Sequence, residues 1–369
     1  YELDPVWITE SAAALAELEA MGRPALHKWT LEGFLTLARA EFLVIDFTPR
    51  DLFYWGEVAF GEFRFIQTAH GMPIKKGGQL ALEEGRGRRP QGNLALLQPL
   101  FTHLKSALVY NVLLANYELV VAQSEASRHD LSELYVNDNV EVLGAPRNDL
   151  LFDLERRRAI IRELSIEDNQ RILLYCPTWR DERERVEPFT RTDWEALERW
   201  LSENESILLV KKHPLDKDLV VPEDLSRIQN LTGVVDDVQN LCLIADVLIT
   251  DYSSIAFDYC LTERPIIYYC YDYDVYLTEC RGMIYDYFET IPGPFARDAG
   301  ELMTLLDQLE DWSNAKDYRK SYEAFADRFN TFRDGESSRR LADFIKHNLQ
   351  PRARKQVDYI GRLKRYLSR

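Results

Sequence analysis

The stretch Val247-Leu248-Ile249-Thr250-Asp251-Tyr252-Ser253-Ser254-Ile255-Ala256-Phe257-Asp258 decides the fold of this chain. Its first four residues are apolar or β-branched with no polar alternation, as in a strand buried on both faces. An acidic residue, a tyrosine and two serines follow, and the sequence then turns helical. That is one strand-to-helix step of a βα unit, and repeated βα units build a parallel sheet covered on both faces. The junction supports two readings. Asp251 and the serines can cap the helix by accepting from its first free amides. Alternatively, the amides, the helix dipole and two hydroxyls receive a phosphate.

Outward from this stretch the same step recurs. Strands are expected at Val6–Thr9, Phe42–Ile45, Phe63–Thr68, Leu119–Ala122, Val140–Leu143, Ile172–Cys176, Ile207–Lys211, Val247–Thr250 and Pro265–Cys270. Helical segments at Ser11–Glu19, Leu31–Ala40, Asp149–Leu164, Asp193–Leu201 and Val238–Ala245 separate many of them. The fold class is therefore α/β. The charged segment Asp149–Asn169 interrupts the pattern and marks the expected boundary between units 1–150 and 151–335. From Ala299 onward the pattern is helical (Glu301–Leu309, Ala315–Arg328, Ser337–Lys346), and 336–369 is read as C-terminal helices with a basic tail.

The 369 residues suffice for two such units, and 46% apolar with 29% charged residues is the mixture of a globular protein, not a disordered one. A net charge of −16 argues against general nucleic-acid binding, which needs a basic surface to displace counterions. The longest apolar stretch, Ala107–Ala122, carries Asn111, Asn116 and Glu118 and is too short to span a bilayer. No signal peptide is visible. Five cysteines without a CxxC pair (Cys176, Cys242, Cys260, Cys270, Cys280) read as buried, reduced thiols of a cytoplasmic protein. No Walker loop and no Gly-x-Ser-x-Gly elbow is present, which removes the commonest ATPase and hydrolase readings.

Ligands of open α/β sheets gather at the carboxyl ends of strands. There this sequence places His70-Gly71-Met72-Pro73-Ile74-Lys75, Gly144-Ala145-Pro146-Arg147-Asn148-Asp149, Cys176-Pro177-Thr178-Trp179-Arg180, Lys212-His213-Pro214 and Asp251-Tyr252-Ser253-Ser254. His70 reads either as a turn-stabilising ring or as a base that takes a proton from an attacking hydroxyl. His213 carries the same two readings, with Lys211 and Lys212 pointing to anionic surroundings. Asp272 and Asp274 form a DxD-like pair, read as loop-solvated acids in preference to a metal site.

These motifs, in this order and with Thr250–Asp258 and Arg281-Gly282 added, resemble the CDP-glycerol glycerophosphotransferase family of teichoic-acid primases, polymerases and capsule polymerases. The resemblance runs from about Val6 to Leu341. It implies a GT-B fold, two Rossmann-like domains facing a central cleft, with the donor held mainly by the second. It implies transfer of glycerol phosphate or another polyol phosphate from CDP-glycerol or CDP-ribitol to a hydroxyl of a lipid-linked acceptor, releasing CMP. His70 and His213 would be the catalytic residues. Ser253, Ser254, Asp258 and Arg180 would contact the donor, and Lys75, Arg147 and Arg281 would complete its cationic surroundings. No cofactor and no metal is expected. The same-fold alternative is a nucleotide-sugar glycosyltransferase. Ala69 stands where the family often has an aromatic residue, the segment Gln79–Leu114 is long, and the first Rossmann strand is missing because Val6–Thr9 reads as the second.

Residues 351–369 carry seven basic side chains and one acidic one, on a chain whose remainder is strongly acidic. Val357, Ile360, Leu363 and Leu367 recur at helical spacing, with Arg362, Lys364, Arg365 and Arg369 around them. The tail reads either as a helix lying on an anionic membrane or as one packing back on the acidic body. The expected location is the inner face of the cell membrane, peripherally bound.

Overall fold

The apolar runs become strands of three parallel sheets in the computed structural model, which describes residues 2–46, 64–75, 117–135, 137–180, 187–213, 216, 219–279 and 283–349. β1 (Trp7–Thr9) pairs with β2 (Ala25–His27) as a small sheet of its own. β3 (Leu43–Ile45), β4 (Phe65–Gln67), β5 (Tyr117–Ala122) and β6 (Val140–Val142) lie side by side in that order. β7 (Arg171–Cys176), β8 (Ser206–Val210), β9 (Ile228–Asn230), β10 (Val247–Thr250), β11 (Ile266–Tyr269) and β12 (Phe295–Ala296) form a six-stranded sheet in the order β12-β11-β10-β7-β8-β9. Every residue of β8, β10 and β11 is buried, which is why these strands read as unbroken apolar runs.

The helices cover both faces of the second sheet. Arg191–Glu203 starts with a capping box between Thr190 and Asp193 and buries Trp194, Leu197, Trp200 and Leu201. On the other face Lys316–Phe329 buries Tyr318, Tyr322, Phe325 and Phe329. The last described helix, Ser337–Asn348, leaves this sheet and packs Leu341, Ile345 and then Leu349 on Ile66, Leu119 and Val121 of the first. Asp149 fixes its start, with Oδ1 accepting from the Ser337 amide at 2.8 Å and Oδ2 from that of Ser338 at 2.7 Å. Gly144, at φ +90°, lies against the Ser337 hydroxyl, where a Cβ would collide. Among the described residues no helix is long and apolar enough to cross a membrane.

Several expectations change. Asp149–Leu164 is not one helix. Pro146–Phe152 is a 3-10 segment, and Asp153 then caps a separate α-helix, Leu154–Glu163, by accepting from the Arg156 amide at 2.9 Å. The helix read as Glu301–Leu309 ends at Asp307, and a second begins at Leu309. Val6–Thr9 contributes β1 to its own small sheet with β2, not a strand of the four-stranded sheet. β2, β9, β12 and the helix Glu125–Tyr135 went unread, the strands being too short for periodicity and the helix too polar. Gln79–Leu114 and the tail lie outside the described residues.

Ile345→Ala removes a buried side chain from the seam between the last helix and the first sheet. The cost should be about 2–4 kcal/mol, read as a lower urea midpoint. An unchanged midpoint would show that this helix is not part of the core.

Candidate active site

In the six-stranded sheet, β8 and β9 lie beyond β7 on one side, while β11 and β12 lie beyond β10 on the other. Loops leaving such a switch point diverge and open a crevice at the carboxyl ends. Thr250 sits opposite Cys176 in register, so Pro177–Arg180 and Asp251–Ser254 leave the sheet side by side.

Arg180 is clamped inside this edge. Its Nε donates to Asp272 Oδ2 at 2.7 Å, one Nη to Asp272 Oδ1 at 2.9 Å and the other to Asp251 Oδ2 at 2.7 Å and to the Thr178 carbonyl. The Tyr252, Tyr271 and Tyr276 rings lie 5.1–5.4 Å from its guanidinium carbon. Burial opposes the charge, but Asp251 and Asp272 outweigh it and hold the guanidinium above its ordinary value. Asp272 is therefore not a solvated loop acid, although Asp274 is exposed. Nor does Asp251 cap the helix, since its Oδ1 accepts from the Thr178 amide at 2.8 Å.

The helix beyond Asp251, Ile255–Tyr259, has five residues and continues into a 3-10 turn at Cys260–Thr262. So short a helix has little macrodipole. Ser253 Oγ accepts from the Ile255 amide at 3.3 Å, and Ser254 makes no side-chain cap bond. The junction therefore offers an anion mainly hydroxyls.

His70 arrives from the first sheet. Ala69 holds φ +59°, a left-handed conformation that costs a non-glycine residue about 1 kcal/mol or more. Its amide donates to Gln67 Oε1 at 2.9 Å and its carbonyl accepts from Arg147 at 3.0 Å. His70 Nδ1 lies 3.7 Å from Asp46 Oδ2, with the two side chains 74% and 70% exposed. Contact with the ring keeps the Asp46 carboxyl below its usual 3.8. Gly71 then passes so close to the second sheet that a Cβ would meet Ser254 Oγ at 2.6 Å. Only glycine permits that approach without a shift.

Beneath this contact lies a buried polar network. Arg147 grips Asp258 with two hydrogen bonds of 2.8 Å, and its Nη2 also donates to Gln123 Oε1 at 3.0 Å. Asp258 further accepts from Asn148 at 2.9 Å and Gln239 at 3.1 Å. Gln123 donates in turn to Asn330 and to the Phe257 carbonyl.

The other expected residues are dispersed. His213 is exposed and stacked on Trp179, with centroids 5.7 Å apart. Lys211 donates to the Val235 carbonyl and Lys212 to that of Leu219, so neither ammonium marks an anionic ligand. Lys75 bridges to Met283 in an antiparallel pair, its ammonium 5.5 Å from the Tyr276 centroid. Cys176, Cys242, Cys260 and Cys270 are free and buried. Arg281 and Cys280 lie outside the described residues. Asp46 and Gln123 went unread, although they follow β3 and β5 as His70 follows β4. The strand-end rule applied to those two strands finds both.

A family model described as CDP-glycerol:poly(glycerophosphate) glycerophosphotransferase matches residues 1–347. The chain is 30% identical over 332 residues to a teichoic acid glycerol-phosphate transferase of Staphylococcus aureus (strain NCTC 8325 / PS 47), covering 87% of this chain and 80% of that one. It is 32% identical over 240 residues to a teichoic acid poly(ribitol-phosphate) polymerase of Bacillus spizizenii (strain ATCC 23059 / NRRL B-14472 / W23), covering 62% of this chain and 37% of the polymerase. Among solved structures, the wall teichoic acid polymerase TagF superposes with a TM-score of 0.70 at 24% identity, over 88% of this chain and 76% of TagF. The S. aureus MnaA–UDP structure reaches 0.51 at 15% identity, over 96% of this chain and 100% of that one. These two likenesses are of fold, and they bear out the GT-B expectation.

Because the Asp46 carboxyl is depressed in the folded chain, its contribution is fully present, on the carboxylate side, above 3.8 and is lost as pH falls through the lowered value. In His70→Ala the carboxyl should return toward 3.8, as followed by carbon-detected NMR titration. A titration identical to that of the parent protein would show that the ring does not hold Asp46.

Proposed function

Because this chain belongs to the CDP-glycerol:poly(glycerophosphate) glycerophosphotransferase family, we propose that it moves glycerol phosphate from CDP-glycerol to a hydroxyl of a lipid-linked teichoic-acid chain, with His70 as the base. The observation that carries this reading is the Gly71–Ser254 approach, which brings the loop of the histidine against a strand-end hydroxyl of the other sheet. A base and a phosphate ligand must stand that close if one phosphorus is to meet both.

In this reading His70 takes the proton of the acceptor hydroxyl, and Asp46 orients the ring and supports its positive charge. The acceptor oxygen attacks the phosphorus that bears glycerol. A new P–O bond forms, the bond from that phosphorus to the bridging oxygen breaks, and the electron pair leaves on CMP. Ser253 and Ser254 hold donor phosphate, and His213 faces the leaving CMP from the end of β8. Phosphoryl transfer asks a protein mainly for such positioning and charge stabilisation. Lys75 and Arg281 supply cations on the donor side. Arg180 acts one layer deeper, fixing Asp251 and Asp272 below the serines. In the proposed division, unit 1–150 takes the acceptor and unit 151–335 the donor. The last described helix is anchored on the acceptor sheet.

The reading also covers location. A lipid-linked acceptor requires the enzyme at the cytoplasmic membrane face, and the basic, striped segment 351–369 supplies an attachment for anionic lipid. Deleting Lys355–Arg369 should reduce co-sedimentation with anionic vesicles while CDP-glycerol binding persists. Loss of donor affinity on truncation would make the tail structural.

Incubation with CDP-glycerol or CDP-ribitol and a lipid acceptor should release CMP, faster from the glycerol donor. CDP as the sole nucleotide product would establish the glycosyltransferase alternative. His70→Ala should lower turnover by about 10²–10⁴-fold with donor affinity nearly unchanged. Ser254→Ala should instead weaken donor binding, because its hydrogen bond exists in the ground state as well. The opposite pattern would exchange the two roles.

A further inference from the structure

We propose that Arg147 is the positioning residue of His70, acting through the Ala69 carbonyl, with Asp258 as the counter-ion that ties its setting to the Ser253-Ser254 junction. The inference deepens the function proposed above and rests on His70 being the base. Ala69 immediately precedes His70, and its strained φ is maintained by Gln67 on the amide side and Arg147 on the carbonyl side. Rotation of that peptide swings the imidazole. The other edge of the same guanidinium is locked on Asp258, four residues beyond Ser254 on the same short helix. One rigid planar group thus joins the loop of the base to the helix of the phosphate ligand.

The alternative, that Arg147 and Asp258 touch donor directly, conflicts with the bonds already made. Asp258 Oδ1 accepts from Arg147 and Asn148, and Oδ2 accepts from Arg147 and Gln239. All three nitrogens of Arg147 donate to protein oxygens. A phosphate would have to break this pair to reach Asp258, and at Arg147 it would find at most one Nη1 hydrogen beyond the four already given to protein oxygens. The fork geometry is also the part that lysine cannot reproduce, because its point charge cannot serve Asp258 and Ala69 together.

The experiment is Arg147→Lys and Asp258→Asn, each alone and combined with His70→Ala, with kcat and the CDP-glycerol Kd measured on folded protein. Arg147→Lys should lower kcat by about 10²-fold, as misplacement of a reacting group by roughly 1 Å does, and leave donor Kd within about threefold. On the His70→Ala background the same substitution should cost nothing further, since the group it positions is gone. Donor binding weakened by about tenfold or more, or a full additional loss on the His70→Ala background, would overturn the proposal and make Arg147 a donor ligand. Should Arg147→Lys fail to fold, the isosteric Asp258→Asn carries the same comparison. Full turnover of His70→Ala alone would refute the base assignment, a separate outcome.

Discussion

The arrangement of the site depends on one buried ion pair, Arg147 with Asp258. The Asp258 side chain is 8% exposed, so ionising it there is costly unless its oxygens are satisfied. Two guanidinium hydrogen bonds, an asparagine amide and a glutamine amide satisfy them. By general experience such pairs add little net stability, while removing one partner costs about 3–5 kcal/mol because the other charge is left stranded. What the pair supplies is alignment. Its ligands come from the end of β5, the segment after β6, the helix after β10 and the helix Val238–Ile244, so each of these must reach its place for the charges to be met.

The same physics repeats around Arg180. Two carboxylates leave adjacent strands of the second sheet, and one guanidinium from the next strand neutralises both under a roof of tyrosine rings. The consequence for an anionic substrate is indirect. Arg147 and Arg180, which a strand-end reading assigns to phosphate, are committed to carboxylates, and Lys211 and Lys212 to carbonyls. Among the described residues, the strand-end junction after β10 presents the Ser253 and Ser254 hydroxyls. In the proposed reaction an acidic protein accepts an acidic donor because the carboxylates around Arg147 and Arg180 are answered within the protein before the ligand arrives.

Much of the fold was legible because strands buried on both faces have no polar alternation, and β7, β8, β10 and β11 fall within a residue or two of the apolar runs. β2, β9 and β12 were not, because two or three residues carry no period. At the site, the positions of His70, Arg147, Arg180, Ser254 and Asp258 followed from strand ends, but their partners did not. A sequence shows that Arg147 is a cation. It does not show that a carboxylate 111 residues away meets it. Polar residue types announce that a charge must be answered, and only the topology decides whether ligand or protein answers it. Gly71 and Gly144 were visible as members of strand-end motifs, whereas the side chains that forbid a Cβ there come from Ser254 and Ser337.

The contrast between the two ends of the His70 loop follows from the same division of labour. The backbone at Ala69 and Gly71 is fixed from below by Gln67, Arg147 and the close approach to Ser254. The imidazole and Asp46 above it stand mostly in water, 3.7 Å apart, too far for a good hydrogen bond. In high dielectric that pair is weak. In the proposed reaction an acceptor chain laid over the rim would displace the water, and the attraction between carboxylate and imidazolium would grow as the local dielectric falls. Catalytic hydrogen bonds that are long in a free site commonly tighten in the substrate complex. Position is thus built into the folded chain in advance, while in the proposed role of His70 the full strength of the base would arise only once the acceptor hydroxyl had covered it.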